Sequence, residues 1–341
     1  MSRVRDLASI LTASSSMATD AEVTSAISAQ SMAGKNFVIN GGFDIFQRTP
    51  TPTSGTTVSG GSGYSIDRWI VWNTAGNGSI VTSRQSSGLT GIQYCARIQR
   101  PSGNTSGLNF FAQPIETSNS ILLAGKTFTF SFYARKGADY SNTTSSLNVE
   151  VWQNTTTDGS IQTIETGSRS SAGSGVFTLT SGWQRFSFTS VFASTTTQVA
   201  PVFYGVTSGT AGANDYYEIT GVQLEIGSVA SNFSRAGGDI QGELAKCQRY
   251  YQVLGDNIYE LIYGGYMTSG TVGYISFPYP VTMRTTPTGT LVGGWAIFNT
   301  GQPVIQSTHP KTISLRVTSS TTGQFYFHSN TTYYLTMNAE L

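Results

Sequence analysis

Apolar and polar side chains alternate along much of this chain. Phe128, Phe130 and Phe132 are separated by Thr129 and Ser131, and Val222, Leu224 and Ile226 by Gln223 and Glu225. A period of two places one set of side chains on each face of an extended segment, so both stretches predict half-buried β-strands. Similar short stretches recur at 67–72, 79–84, 93–99, 109–115, 148–153, 175–179, 183–188, 198–206 and 216–224, between Gly-, Ser- and Asn-rich turns. Phe37, Ile39, Phe43, Ile45 and Phe46 open the core, and the Pro-, Gly-, Ser- and Thr-rich residues 49–63 predict a loop. This spacing predicts an antiparallel jelly roll or β-sandwich and argues against a doubly wound α/β sheet.

The period changes after Gly237 and Gly238. Asp239 can accept an amide hydrogen bond from a first helical turn, and Leu244, Cys247 and Tyr251 then fall at three- and four-residue spacing. A helix over 239–251 is expected. Strands are expected again at 259–262, 273–277, 291–298, 313–318, 324–328 and 333–338, as a smaller β-sandwich with the helix packed on it. Residues before 36 read differently. Val4, Leu7 and Leu11 share one helical face, Thr19 and Glu22 have capping-box spacing, and Val23 and Ile27 continue a stripe. Such short, narrow apolar faces do not hold a helix in water alone, so this segment needs a partner. The expected architecture is therefore mainly β: a short helical N-terminal anchor over 1–35, a jelly roll over 36–236, and a helix plus a smaller β domain over 237–341.

Composition sharpens the picture. Of 341 residues only 11% are charged, while 12% are aromatic and the net charge is +1. No basic block is present to neutralise phosphates, which argues against nucleic-acid binding. No run of about eighteen apolar residues exists, so no membrane insertion is expected. The start of the chain has two arginines and a short apolar stretch, but Ser, Thr and Asp6 break it, against a signal peptide. Cys95 and Cys247 lie far apart and read as buried reduced thiols.

Catalytic chemistry finds little to stand on. His309 and His328 are the only histidines and lack metal-ligand spacing, and no nucleophile elbow or phosphate loop is present. No pair of carboxylates is nominated for glycoside cleavage, and no β-helix period is visible. The chain is expected not to be an enzyme. Sugar binding requires less: aromatic rings for the C–H face of a pyranose and neutral polar groups for its hydroxyls. Trp72 and Trp152 border polar loops, and Tyr263, Tyr266, Tyr279 and Trp295 are interleaved with Gly and Pro. These six are the candidate glycan-binding residues, with the C-terminal domain the expected tip.

Several segments carry a resemblance to a known family. They are NGGFDIFQR at 40–48, SIDRW at 65–69, FTFSFYARKG at 128–137, GWQRFSF at 182–188, GVQLEIGSVASNFSRAGGDIQGELAKCQRYYQ at 221–252 and FPYPVTMRTTPT at 277–288. In order and spacing this set resembles phage tail-fibre and virion-fibre proteins that carry a sandwich related to carbohydrate-binding modules. The resemblance implies a virion protein, assembled in the host cytoplasm as a homotrimer. It would attach to a tail, neck or capsid protein through Val4, Leu7, Leu11, Val23 and Ile27, and adsorb to host-surface polysaccharide. It brings no catalytic motif and no cofactor, although related modules often hold a structural calcium, for which Asp44, Asp67 and Glu225 would be the oxygen donors. Asp67, Arg68 and Trp69 are expected at a strand start, as turn and core residues. A head fibre, collar fibre or decoration protein with a purely structural role is the alternative, and a polysaccharide-degrading tailspike a weaker one.

Overall fold

A computed structural model describes residues 35–48, 55–59, 61–73, 78–105, 107–167 and 169–341. The proposed attachment residues Val4, Leu7, Leu11, Val23 and Ile27 lie outside them. The chain is mainly antiparallel β, as the alternation predicts.

Twelve strands make the first module. They are β1 (Thr56–Ser59), β2 (Gly61–Ile66), β3 (Trp69–Asn73), β4 (Ser79–Leu89), β5 (Ile92–Gln99), β6 (Gly107–Ala112), β7 (Thr127–Lys136), β8 (Ser146–Asn154), β9 (Ser170–Thr178), β10 (Gln184–Val191), β11 (Gln198–Thr207) and β12 (Tyr216–Ile226). They form two six-stranded sheets, ordered β1-β4-β5-β12-β7-β10 and β2-β3-β6-β11-β8-β9. The pairs β2–β3, β4–β5 and β8–β9 are hairpins within one sheet, and every other connection crosses between the sheets, so both contribute an inner face to one core. Phe128, Phe130, Phe132 and Leu224 from the first sheet meet Trp69, Phe111, Val149, Val151 and Phe203 from the second. Trp69 stacks on Phe111 with ring centroids 4.7 Å apart. Two short helices, α1 (Thr117–Ser120) and α2 (Ile161–Thr166), sit in connections.

Strands β1 and β2 fall where a loop was expected. Thr56 to Ser59 pair with Thr82 to Ser79 at the sheet edge. Edge strands are held by backbone bonds on one side, so Thr, Ser and Gly are tolerated around the few apolar anchors Val58, Tyr64 and Ile66, too sparse a pattern to announce a strand. Between β2 and β3, Asp67 and Arg68 form the turn, Arg68 adopting a positive φ of 70°. Near the start of the module Gly41 packs against β12: a Cβ there would stand 2.1 Å from the Val222 carbonyl oxygen, so no other residue fits.

The helix α3 spans Ile240–Gln248, and the Asp239 carboxylate caps it, accepting the Gly242 amide at 2.7 Å. It stops three residues earlier than the stripe suggests. Tyr251 instead starts β13 (Tyr251–Leu254), where pairing with Asn338 outweighs local helical preference. Leu244, Cys247 and Tyr250 pack on Ile39, Ile45 and Ala236, so the stripe faces the start of the first module rather than the C-terminal strands.

Eight further strands follow: β14 (Ile262–Met267), β15 (Val272–Pro278), β16 (Thr288–Val292), β17 (Ala296–Phe298), β18 (Val304–His309), β19 (Thr312–Thr318), β20 (Gly323–His328) and β21 (Tyr334–Asn338). Together with β13 they make three three-stranded sheets, β13-β21-β16, β14-β20-β17 and β15-β19-β18. The sheets share a core that includes Trp295, Ile313, Leu315, Phe325, Phe327, Leu335 and Met337.

A seam of ion pairs joins these strands and α3 to the first module. Glu340 pairs with both Arg48 and Arg68, with side-chain exposures of 4%, 8% and 1%. The Arg68 guanidinium also lies 3.5 Å from the Tyr250 ring centroid, and that of Arg48 4.0 Å from the Tyr251 centroid. Glu116 accepts from Arg249 Nη2 at 2.7 Å and from the Tyr250 hydroxyl at 2.8 Å. Burial raises the Glu116 carboxyl, but hydrogen bonds from Arg249 and Tyr250 outweigh it and hold the group below its usual range. A carboxyl that titrates lower when folded stabilises fully above the ordinary carboxylate range, and that contribution is lost as pH falls through the folded value. Asp67 and Glu243 shift the other way, burial pushing both up, and so favour the fold in acid. Comparison with Glu116→Gln isolates the first effect. Chemical denaturation from pH 7 down to about pH 3 should show the wild-type advantage over Glu116→Gln shrinking; an advantage independent of pH would contradict it.

Candidate functional site

Two aromatic surfaces emerge from the registers. The first lies on the outer face of the second sheet. Across it Trp72 is opposite Phe110, Phe110 opposite Tyr204, and Tyr204 opposite Asn148. Opposed residues in a ladder share a face, so these four form one row. Trp72 stacks on Phe110 at 4.5 Å with planes 4° apart, and Phe110 lies 5.2 Å from Tyr204. One step along, the Glu150 carboxylate accepts from the Tyr204 hydroxyl at 2.8 Å and from Trp152 Nε1 at 2.9 Å. Burial, then the hydrogen bond to Glu150, pushes the Tyr204 phenol up to about 12, so it donates at every physiological pH. Ile161 and Ile164 of α2 cover part of this face. Trp72 and Trp152, two candidates from sequence, are thus brought within 6.0 Å of each other but are only 6% and 1% exposed. Their rings are packing, not free stacking surfaces. Tyr204, Asn148 and Glu150 form the half-exposed side of the row.

The second surface is the outer face of β14-β20-β17. Ile262 pairs with His328, Gly264 with Tyr326 and Tyr266 with Gln324, while Phe298 pairs with Tyr326 from the other side. Phe325 and Phe327, in the opposite phase of β20, point into the core. Tyr326 and Phe298 are stacked at 5.3 Å with planes 15° apart. Tyr326 also stacks on His328 at 6.1 Å, and Tyr259 lies 4.2 Å from that ring. Exposure is high: Tyr266 71%, Tyr259 57%, Phe298 46% and Tyr326 42%. Gly264 leaves its strand low beside Tyr326, since a Cβ there would meet Tyr326 Cβ at 3.0 Å. The outcome is a shelf of rings, with Gln324 as neighbouring hydrogen-bonding group, large enough to take one or two pyranose faces.

Of the four C-terminal candidates, Tyr266 belongs to this shelf. Tyr263 has the opposite phase of β14; it is half-buried, 5.5 Å from Phe325 and 5.7 Å from Phe327. Tyr279 and Trp295 are 8% and 2% exposed within the core, where burial pushes the Tyr279 phenol up. Neither ring can meet a sugar from solvent. Sequence reasoning missed Tyr326, Phe298 and Tyr259. The phase of GQFYFH contained a signal for the first, because a tyrosine between two inward phenylalanines must face out.

The calcium expectation does not fit the side chains. Asp44 takes both Arg235 Nε, at 2.7 Å, and Nη2, at 3.2 Å. Asp67 accepts the Gln47 amide at 2.6 Å and Gln47 Nε2 at 2.7 Å, and Glu225 is held by Lys35, Gln223 and Ser231. Three carboxylates already committed to separate protein donors do not form a shared oxygen cage. No helix among the described residues is long and apolar enough to cross a membrane.

No protein-family profile matches the chain, and no curated protein does. Solved structures do show likeness. One, described as CBM4, aligns over 55% of this chain and 98% of its own, at 20% identity and a TM-score of 0.33. The enzymatically active domain of tailspike protein 4 from bacteriophage CBA120 aligns over 56% of this chain and 21% of its own, at 10% identity and a TM-score of 0.35. The CBM22-1 xylan-binding domain of Paenibacillus barcinonensis Xyn10C aligns over 59% and 100%, at 9% identity and a TM-score of 0.34. These are likenesses of a β-sandwich at low scores, and what those proteins bind or cleave is not thereby a property of this chain.

Proposed function

We propose that this chain is a non-enzymatic virion fibre protein that adsorbs to host-surface glycans, held to the particle by residues before 36. The exposed shelf of Tyr266, Tyr326 and Phe298 is the observation that carries the glycan part. Monomeric soluble proteins seldom leave stacked aromatic rings open to water on a sheet face without a use for them. The virion part rests on the resemblance of the quoted motifs. A homotrimer would repeat each weak sugar site three times, and multivalency would turn millimolar contacts into firm attachment. Glu150, with both oxygens engaged by Tyr204 and Trp152, suits holding rings rather than transferring protons.

A neutral-glycan array probed with the full chain tests the proposal, and selective retention on hexopyranose oligomers is expected. A blank array while particles still adsorb would remove the glycan reading. Finding the protein on the capsid or neck, away from host contact, would favour the head or collar fibre. Release of reducing ends from host polysaccharide would overturn the non-enzymatic reading.

A further inference from the structure

The outer face of the first sheet carries a different chemistry. Arg97 of β5 is opposite Glu218 of β12, and Glu218 is opposite Arg135 of β7. One row therefore runs guanidinium, carboxylate, guanidinium. Arg97 donates to Glu218 Oε1 from Nε at 2.8 Å and Nη2 at 2.6 Å, and Arg135 Nε donates to Oε2 at 2.5 Å. Glu218 is fully buried beneath them, while the two arginine side chains stay 27% and 29% exposed. Each guanidinium rests on a ring: Arg97 3.9 Å from the Tyr216 centroid and Arg135 4.6 Å from the Trp183 centroid. Trp183 is itself pinned, its Nε1 donating to the Ser87 carbonyl at 2.7 Å. In the next row Arg185 lies opposite Tyr133. Three guanidiniums and one carboxylate leave a formal +2 on this patch, in a chain whose total is +1.

The buried carboxylate uses three of the N–H-bearing nitrogens on Arg97 and Arg135. It holds the two planar forks in fixed positions and cancels one charge of two. What remains is a rigid, half-exposed pair with net positive charge, its conformational entropy already spent. Planar forks match planar carboxylates. We propose that this row is a binding subsite for a carboxylate-bearing sugar, a uronic or sialic acid residue of an acidic polysaccharide. This rests on the glycan-adsorption reading and adds to it a preference for acidic chains.

Methyl glycosides of glucuronic, galacturonic and N-acetylneuraminic acid, with methyl glucoside, methyl galactoside and acetate as controls, would be titrated into the full chain. The Trp183 indole N–H and the Arg97 and Arg135 Nε–H signals would be followed by NMR. At least one sugar acid should move these signals, bind about tenfold more tightly than its neutral counterpart and than acetate, and weaken as salt is raised. Arg97→Gln should lose that tenfold; Arg97→Lys, which keeps the charge over Glu218, should lose most of it while leaving the thermal midpoint near wild type. The proposal is overturned if no sugar acid shifts these signals, if acetate binds as well, or if both Arg97 variants bind like wild type. Should the sugar acids fail while neutral glycans still bind through Tyr326, only the acidic subsite falls. If neither class binds, the glycan reading falls with it.

Discussion

Glu340→Ala should destabilise the protein by about 3–5 kcal/mol, seen as a lowered urea midpoint. Glu340 is nearly buried between Arg48 and Arg68, and its removal leaves two guanidiniums in the seam without their counter-ion. Arg68 is the worse placed. Its guanidinium also donates to the Pro114 carbonyl, at 2.7 Å, a neutral acceptor that cannot replace the carboxylate, and it sits in a turn whose positive φ is already unfavourable. The cost comes from stranding a charge, not from losing an attraction, and that distinction can be tested. The double variant Arg68→Met with Glu340→Leu removes the carboxylate together with the deeper of its two guanidiniums, leaving only Arg48 stranded, and should recover part of the loss. A single variant within about 1 kcal/mol of wild type, or a double variant worse than the single one, would contradict this account of the seam.

The second large effect concerns adsorption. Tyr326→Ala removes the ring that joins Phe298 to His328, and with it the middle of the shelf. A lost stacking contact weakens one sugar site by up to about tenfold, since ring contacts contribute up to about 1.5 kcal/mol. If three copies engage together, independent losses multiply towards about a thousandfold in overall attachment. Tyr326 is 42% exposed, so the fold should tolerate the change. Retention on immobilised neutral glycan should therefore collapse while the thermal midpoint barely moves. Wild-type retention by Tyr326→Ala would remove the shelf from the binding surface. Trp295→Ala offers the contrast. It empties the C-terminal core and should lower stability by about 3–5 kcal/mol, so any loss of binding would follow unfolding.

How much of this was legible before folding depends on which interaction sets each element. The central strands were legible because their inner residues repeat at period two, as Phe128, Phe130 and Phe132 do. The edge strands β1 and β2 were not, since the ladder bonds that order Thr56, Thr57 and Ser59 come from β4, twenty or more residues away. The Asp239 cap was legible as a local hydrogen bond; the end of α3 was not, because a strand partner 87 residues downstream decides it. The candidate rings show the same division. Loop-border position selected Trp72 and Trp152, and Gly and Pro neighbours selected Tyr279 and Trp295, yet all four are buried, because large rings fill cores before they serve ligands. Strand phase is the better guide, and it separates outward Tyr266 and Tyr326 from inward Tyr263, Phe325 and Phe327. The Arg97, Glu218, Arg135 row brings together residues up to 121 positions apart and has no local trace at all.

The middle position of β21 has a consequence for synthesis. β13 and β16 each take their ladder partner from β21 and not from one another. A ribosome therefore exposes Tyr251 to Leu254 and Thr288 to Val292 as unpaired edges until Tyr334 to Asn338 has left the exit tunnel. The jelly roll, complete at Ile226, can close long before. Premature termination just ahead of residue 334 would thus yield a finished sandwich trailing two sticky ribbons, a substrate for chaperones or for clumping with its own kind.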